Sequence, residues 1–238
     1  MTTARPDFSR RATTPELMDG DNVDFETFRG CLADLAKVNR LTLAYRPTLA
    51  FLERLQREGL WPTDRPLAVL DVGSGYGDML RVVARWARRR NLDVRLTGLD
   101  RNPWSERAAE RVLGSEGIAW ITEDLFDHQG GADVVLSSLF THHLDDASLI
   151  RFVEWQETNA RIGWFVNDLL RHPFSYYGFG LLAQLMRWHP FVRHDGPVSI
   201  ARAFREKDWR YVLSMAGARR AEIEPWFPFR LCVSRVRR

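Results

Sequence analysis

The chain has 238 residues, of which 45% are hydrophobic, and its 34 basic and 31 acidic residues leave a net charge of only +3. This size allows one globular domain with appendages, and no run approaches the roughly 18 apolar residues of a membrane span. The small charge excess argues against a nucleic-acid partner, which would require a broad basic surface. Because the N-terminus also lacks the apolar core of a secretory signal, we expect a cytoplasmic protein.

Cysteine usage sets a second limit on function. The two cysteines, Cys31 and Cys232, lie far apart and in no spacing typical of metal ligands. Neither a disulfide framework nor a zinc site is indicated, so we predict two buried, reduced thiols and no metal.

The first sixty residues divide into two parts. Residues 1–15 are rich in Thr, Arg and Pro and poor in large apolar groups, which predicts a flexible arm. Residues 16–60 are predicted to form an N-terminal helical cover. Apolar side chains there first recur at helical spacing, at Phe25, Phe28, Leu32 and Leu35. A second helix is expected to begin at Pro47 and to end at Gly59, and the pair either covers an active site or forms an ordinary layer on a sheet.

A glycine-rich segment follows the first predicted strand. Residues 69–78 read VLDVGSGYGD, an apolar run that ends at Asp71 and opens into glycines at alternate positions. This pattern predicts a buried strand that leads into a tight turn, where the absence of side chains lets a ligand approach the backbone. A dinucleotide-binding fingerprint would place its third glycine at position 78, where this chain has Asp78, so the spacing does not fit NAD.

The pattern Asp71-x-Gly73-x-Gly75-x-Gly77 instead resembles motif I of the class I S-adenosylmethionine (SAM) methyltransferases. The resemblance implies S-adenosyl-L-methionine as the cofactor, with its amino-acid end held by the glycine turn, which includes Ser74. It also implies that Asp71 helps to bind the methionine part. A tight turn without a ligand is the alternative.

The rest of the chain alternates between strands and helices. Further strands are predicted at residues 94–99, 118–121, 133–139 and 162–167, and a closing antiparallel hairpin at 221–226 and 231–236. Regular alternation favours a parallel sheet with helices on both faces. We therefore predict an α/β fold with a Rossmann-like doubly wound sheet and a C-terminal antiparallel hairpin, in which residues 61–238 form the SAM-binding domain.

Acidic residues after the second and third strands extend the resemblance. Asp100 matches the acid that holds ribose hydroxyls in this family and in Rossmann proteins. The alternative is that Asp100 caps the helix beginning at Pro103, although Asn102 is better placed for that. In the family, the acid matching Asp124 accepts a hydrogen bond from the adenine amino group, and the backbone amide matching Leu125 meets a ring nitrogen.

The adenine assignment has alternatives. On the residues alone Asp124 is a loop acid, and Glu123 or Asp127 fits the same role. Arg101 after the second strand and Ser138 in the fourth complete the predicted cofactor contacts.

Residues 140–146 follow the fourth strand and read FTHHLDD. Ligands of open α/β sheets bind at the carboxyl ends of the strands, so we expect this segment to face the reacting atoms. It resembles the His-Asp-Trp-Ser-Asp stretch of small-molecule O-methyltransferases, in which the residue matching His142 is the catalytic histidine. His143 is a second candidate for the base. Methylases of the ubiquinone and menaquinone type also have His-His-Leu here without an established base role, so catalysis by positioning alone is the alternative.

Residues 171–205 form an insertion after the fifth strand, crowded with aromatic and aliphatic side chains. In the family this segment commonly builds substrate walls, which predicts a flat or hydrophobic acceptor. The predicted substrate-binding residues are Asp168, Arg171, His172, Tyr176 and Tyr177. Residues 194–197 are expected to form a turn, and Ser199 to cap a helix. A core layer or a contact between subunits is the alternative for the apolar part, and we expect a monomer or homodimer.

These patterns favour transfer of a methyl group from SAM to a hydrophobic or aromatic small molecule, preferably O-methylation of a phenol or quinol of a natural product. Residues 15–19, 38–40 and 195–204 also resemble bacterial methyltransferases that accompany polyketide synthases. The alternatives are a quinone-type C-methyltransferase, an enzyme acting on RNA or protein, and a non-catalytic SAM-fold interaction protein.

Overall fold

The structure, a computed structural model, describes residues 6–20, 23–115 and 117–237. Its strands are β1 (Leu67–Val72), β2 (Val94–Asp100), β3 (Ile118–Thr122), β4 (Ala132–Ser138), β5 (Ala160–Leu169), β6 (Glu222–Trp226) and β7 (Arg230–Val236). Within the described residues they form one sheet of order β3-β2-β1-β4-β5-β7-β6, in which β7 alone runs antiparallel to its neighbours. The predicted Rossmann-like sheet and its C-terminal antiparallel hairpin are confirmed.

Eight helices surround this sheet in the described part of the chain. They are α1 (Phe25–Leu41), α2 (Arg46–Arg57), α3 (Asp78–Arg89), α4 (Pro103–Glu110), α5 (Asp146–Asn159), α6 (Pro173–Leu185), α7 (Pro190–Arg202) and α8 (Glu206–Met215). Two short 3₁₀ turns lie at Leu17–Asp19 and Thr141–His143. None of the described helices is long and apolar enough to cross a membrane.

The sheet is buried on both faces. Every residue of β1 is buried, because α2 and α3 cover one face of the sheet while α5 and α8 cover the other. Phe51 of α2 stacks on Phe165 of β5 with ring centroids 4.8 Å apart. On the opposite face, Phe152 of α5 and Trp209 of α8 are fully buried. Parallel strands covered in this way read as continuous apolar runs, which is why β1 and β4 are recognisable in the sequence.

Three helices, α1, α6 and α7, pack together beside the carboxyl ends of β1, β2 and β4. Their shared apolar cluster contains Cys31, Leu35, Val38, Phe179, Leu182, Ala183, Trp188 and Val192. Helix α1 begins after Asp24, whose carboxylate accepts a hydrogen bond from the Thr27 N–H at 2.9 Å. The helical cover and the insertion, which lie far apart in the sequence, therefore contact each other over one edge of the sheet.

Two expectations for the insertion are wrong. Residues 194–197 lie inside α7 instead of forming a turn, and Ser199 also lies within α7 instead of capping a helix. Gly196 allows α7 to approach α6, since a Cβ there would lie 1.9 Å from the Phe179 ring. Pro197 disrupts a helix interior at a cost of about 3 kcal/mol. The packing of α7 on α6 and α1 offsets this cost, so tertiary contacts outweigh the local preference of Gly-Pro for a turn.

Part of the predicted flexible arm makes specific contacts. Residues 1–5 lie outside the described residues, but within residues 6–15 Phe8 packs on α6, the Ala12 N–H donates to the Ala201 carbonyl of α7, and Arg11 reaches the loop that follows β4. The Arg11 guanidinium donates to the Leu144 carbonyl and to the Asp146 carboxylate, each at 2.7 Å. These bonds hold the described part of the segment against the body of the protein.

Candidate active site

A cavity of about 1120 Å³ lies at the carboxyl ends of β1, β2 and β4. Ligand pockets typically measure about 300–1000 Å³, so this one has room for a large ligand or for two smaller ones side by side. The predicted cofactor contacts that line it are Asp71, Gly73, Ser74, Gly75, Asp100, Arg101, Asp124, Leu125 and Ser138. The structure therefore brings residues from four separate loops to one space.

The glycine turn is shaped by two aromatic side chains. Gly73 has a φ of +70°, and a Cβ there would lie 2.5 Å from the Phe140 ring. Gly77, with a φ of +67°, precedes α3, and a Cβ there would lie 2.2 Å from the Trp120 ring. Only glycine tolerates both the left-handed backbone and these contacts. Gly77 does not line the cavity, so its role is to shape the turn.

Asp71, near the end of β1, is a buried carboxyl group. It is 2% exposed, and its Oδ1 atom has no hydrogen-bond partner among the described residues. Burial, together with the charges of Asp78 and Asp100, raises the pKa of Asp71 to about 8. An unsatisfied buried polar atom lowers stability by about 1–3 kcal/mol. This oxygen is therefore suited to accept a hydrogen bond from a ligand or to pair with a positively charged ligand group.

Asp100 ends β2 and is held by two backbone amides. The Gly75 N–H donates to its Oδ2 at 2.8 Å, and the Asn102 N–H donates to its Oδ1 at 2.9 Å. The cap of α4 is Asn102, whose side-chain oxygen accepts a hydrogen bond from the Trp104 N–H at 3.0 Å. The carboxylate of Asp100 is therefore not the cap of α4, and it connects the end of β2 to the glycine turn inside the cavity.

The predicted adenine contacts follow β3. Asp124 is exposed at the cavity wall, and its Oδ1 accepts a hydrogen bond from the Phe126 N–H at 2.8 Å. Leu125 is buried. Glu123 also lines the cavity, but its carboxylate is paired with the His128 ring. Of the two acids of this loop that line the cavity, Asp124 is thus the one whose carboxylate is not engaged by another side chain in the contacts described, and Asp127 lies outside the lining.

His142 lies in the 3₁₀ turn after β4 and is bound to Asp168 of β5. Its Nδ1 lies 2.7 Å from Asp168 Oδ1, and its backbone N–H donates to Asp168 Oδ2 at 3.0 Å. Burial acts to raise the pKa of Asp168, but the neighbouring His142 and hydrogen bonds from His142, Thr141 and Leu169 outweigh it and hold that pKa below its ordinary value. An ionised Asp168 favours the proton on Nδ1, which leaves the lone pair on Nε2.

Glu16 has no role predicted from the sequence, yet its carboxylate lines the same cavity and is buried. Its Oε1 lies 3.6 Å from His142 Nε2, and its Oε2 lies 3.9 Å from His143 Nε2. The rings of His142 and His143 lie with their centroids 4.4 Å apart. Three donor groups from two distant parts of the chain therefore converge.

Helix α7 holds the segment that carries Glu16. The Asp195 carboxylate accepts hydrogen bonds from the N–H groups of Leu17 and Met18, at 2.8 and 3.0 Å. The Ser199 hydroxyl donates to Glu16 Oε1 at 2.8 Å. In the sequence, residues 15–19 and 195–204 both resemble segments of the same group of bacterial methyltransferases. The structure places these two segments in contact with each other.

Two predicted substrate contacts are turned away from the cavity. Arg171 is buried and donates to the Ala203 carbonyl and to the Asp208 carboxylate, so it ties β5 to the start of α8. Asp168 is also fully buried and does not line the cavity. Its contact with the site runs through His142.

The other three predicted substrate contacts also lie outside the cavity lining. His172 caps α6, since its Nδ1 accepts a hydrogen bond from the Phe174 N–H at 3.2 Å. The rings of Tyr176 and Tyr177 pack edge-on against Phe8, with centroids 5.4 and 6.4 Å away. The face of α6 that carries Tyr176 and Tyr177 contacts the N-terminal segment. The spacing of residues in α6 does not by itself show which face makes this contact.

Apolar side chains of α1, α6 and α7 form another part of the cavity wall. They include Leu32, Leu35, Val38, Phe179, Leu182 and Val192. Phe179 and Leu182 of the insertion thus line the cavity, whereas Tyr176 and Tyr177 of the same helix do not.

No family model matches the chain, and no curated protein matches its sequence. The structure is similar to magnesium protoporphyrin IX methyltransferase from Synechocystis with bound S-adenosylhomocysteine, with a TM-score of 0.54 and 18% identity, over 93% of this chain and 91% of that chain. It is also similar to the plantazolicin methyltransferase BpumL in complex with a monoazolic desmethylPZN analogue and S-adenosylhomocysteine, with a TM-score of 0.60 and 14% identity, over 90% and 96% of the two chains.

A third similar structure, assigned as an O-methyltransferase, comes from Nostoc punctiforme, with a TM-score of 0.57 and 16% identity over 87% of this chain. The present chain spans 60% of the length of that protein. At identities of 14 to 18% these likenesses establish the fold. The chain has the class I SAM methyltransferase fold that the Asp71 to Gly77 pattern predicted.

Proposed function

We propose that this protein is a SAM-dependent methyltransferase that methylates a hydroxyl oxygen of a hydrophobic, aromatic small molecule. One observation carries the proposal. One cavity is lined by the glycine turn with Asp71 and Asp100, by His142, whose ring is bound to the buried Asp168 behind it, and by apolar side chains of α1, α6 and α7. A methyl donor and an apolar acceptor bound side by side would both contact this space.

The cofactor half of the cavity suits the chemistry of SAM. The unsatisfied Oδ1 of Asp71 matches the ammonium group of the methionine part, and the Asp100 carboxylate matches paired ribose hydroxyls. Asp124 and the backbone of Leu125 are assigned to the adenine. When bound, SAM supplies an activated methyl group. The protein residues hold it and keep water away.

His142 is assigned to the acceptor oxygen. Its Nδ1–H donates to Asp168, so Nε2 accepts the proton that the acceptor hydroxyl loses as the methyl group is transferred. Asp168 orients the ring and stabilises the imidazolium that forms. His142 is 3% exposed and is therefore shielded from water. This shielding strengthens both its hydrogen bond to Asp168 and the stabilisation of the imidazolium by that carboxylate.

The apolar part of the cavity lining favours an apolar acceptor. Leu35, Phe179 and Leu182 offer contacts to a ring or alkyl chain but no hydrogen bonds. These features support a phenol or quinol, and a quinone-type carbon acceptor is the second candidate because the same base can deprotonate a ring hydroxyl. The product separates the two, since its NMR spectrum distinguishes an O-methyl from a C-methyl group.

Calorimetric titration with S-adenosylhomocysteine tests the cofactor assignment. We expect micromolar binding by the wild-type protein and at least ten-fold weaker binding by Asp100→Ala. Asp93→Ala, a substitution at an acid that does not line the cavity, is the matched control. Well-folded protein that does not bind S-adenosylhomocysteine would overturn the proposal and favour a non-catalytic role for the fold.

A further inference from the structure

Glu16, His142 and His143 form a compact group of potential metal ligands. One carboxylate oxygen and one ring nitrogen from each histidine all lie within 4.8 Å of one another. The side chains of Glu16 and His142 are 4% and 3% exposed, and that of His143 is 25% exposed. The group is thus buried on one side and lines the cavity on the other.

The distances in this group suit a shared ion better than direct hydrogen bonds. The 3.6 Å and 3.9 Å separations between Glu16 oxygens and the two Nε2 atoms are too long for hydrogen bonds. Two ligands at about 2.1 Å from one tetrahedral ion are about 3.4 Å apart. Small rotations of the side chains would bring all three donors to bonding distance.

Two neighbouring groups orient the ligands as in known metal sites. A metal-bound histidine usually donates its other ring N–H to a carboxylate, and Asp168 accepts from His142 Nδ1 at 2.7 Å. The Ser199 hydroxyl donates to Glu16 Oε1 at 2.8 Å and so orients this carboxylate, whose Oε2 lies on the side of His143. Glu16 and His142 are therefore both held in place by buried partners.

We propose that Glu16, His142 and His143 bind a divalent transition-metal ion of the zinc type. Two imidazoles and one carboxylate are the ligand set that such ions prefer, and three protein ligands leave a fourth position open to the cavity. The identity of the fourth ligand rests on the proposed function: it is the acceptor oxygen. The ion would lower the pKa of a bound hydroxyl, whose proton would pass to bulk water before methyl transfer, so the ion would replace His142 Nε2 as the activating group in the metal-loaded protein.

Cobalt and zinc titrations test the site without measuring activity. Chelator-treated protein is titrated with Co²⁺ while the visible absorption of the ion is recorded, and with Zn²⁺ in a calorimeter. We expect one equivalent of Co²⁺ with the intense bands of a tetrahedral site. Glu16→Gln and His143→Gln should each weaken Zn²⁺ binding more than ten-fold, and Ser199→Ala should weaken it about ten-fold.

The matched control is His128→Gln, because His128 is paired with a single carboxylate, that of Glu123, in a different loop. This variant should bind both metals as the wild type does. Thermal unfolding of the metal-free variants shows whether each is folded. The proposal is overturned if the wild type binds no Co²⁺, or if His128→Gln weakens binding as much as Glu16→Gln does.

The same preparations are titrated with S-adenosylhomocysteine, so that the two proposals fail separately. Loss of the metal site with intact, Asp100-dependent S-adenosylhomocysteine binding leaves the methyltransferase with His142 as its base. Metal binding without S-adenosylhomocysteine binding retains the metal site and removes methyl transfer.

Discussion

Asp168 holds His142 at two points, because its Oδ1 pairs with the ring Nδ1 at 2.7 Å and its Oδ2 accepts from the backbone N–H of the same residue at 3.0 Å. One carboxylate at the end of β5 therefore fixes both the ring orientation of His142 and the path of the loop after β4. The pair links the segment after β4 to the neighbouring strand β5, so the site is held by a rigid part of the sheet.

The first prediction concerns His142. Replacing it with alanine removes Nε2, the atom that takes the proton from the hydroxyl group of the acceptor. Loss of a general base lowers turnover about 100-fold or more. We expect His142→Ala to bind S-adenosylhomocysteine within two-fold of the wild type. Unchanged turnover on an active acceptor would remove His142 from the mechanism.

The second prediction concerns Asp168. Asp168→Asn keeps the size of the side chain, but an amide that donates to Nδ1 places the ring proton on Nε2. We expect turnover to fall about 100-fold while calorimetry shows undisturbed S-adenosylhomocysteine binding. A carboxylate with only a structural role would instead leave kcat intact once the folded fraction is matched, so kcat and the unfolding midpoint are measured on the same sample.

The third prediction is a pH dependence of stability that Asp71 controls. The pKa of Asp71 is raised to about 8 in the folded protein, from an ordinary value of 3.8. Between these two values the folded state binds more protons than the unfolded state, so the free energy of unfolding falls as pH rises. The amide of Asp71→Asn does not titrate, so this fall in the free energy of unfolding is absent in that variant.

Thermal unfolding in the absence of ligand measures the effect. The midpoint of Asp71→Asn should exceed that of the wild type by more at pH 8.5 than at pH 5. A difference between the two proteins that does not change with pH would contradict the raised pKa. Asp93→Asn, at an acid away from the cavity, is the control.

The fourth prediction tests the glycine turn. Gly73→Ala places a Cβ 2.5 Å from the Phe140 ring at a φ of +70°, and we expect the free energy of unfolding to fall by about 1–3 kcal/mol. Gly30→Ala is the matched control, since Gly30 lies in α1 with no atom within 4 Å of the added Cβ. That change should stabilise the protein by about 0.5–1 kcal/mol. The free energy of unfolding of both variants is measured by chemical denaturation. Equal changes in the two variants would show that the turn is not strained.

The sequence by itself determined the central sheet and the residues of the part of the cavity that we assign to the cofactor. Buried parallel strands appear as apolar runs, and the glycine turn needs its backbone conformation wherever it occurs, so both leave local patterns. The placement of Asp71, Asp100 and Asp124 then follows from topology, because the carboxyl ends of parallel strands meet at one edge of a sheet.

Only the tertiary structure decided the acceptor half. Arg171 and Tyr176 are suitable residue types at the right edge of the sheet, but their side chains contact α8 and the N-terminal segment. Glu16 reaches the two histidines because α7 holds the segment before α1, a contact that no spacing within either segment encodes. Residues 194–197 remain helical because α6 packs against Gly196. Side-chain direction and long-range contacts are set by the packing free energy of the whole molecule, which local patterns do not contain.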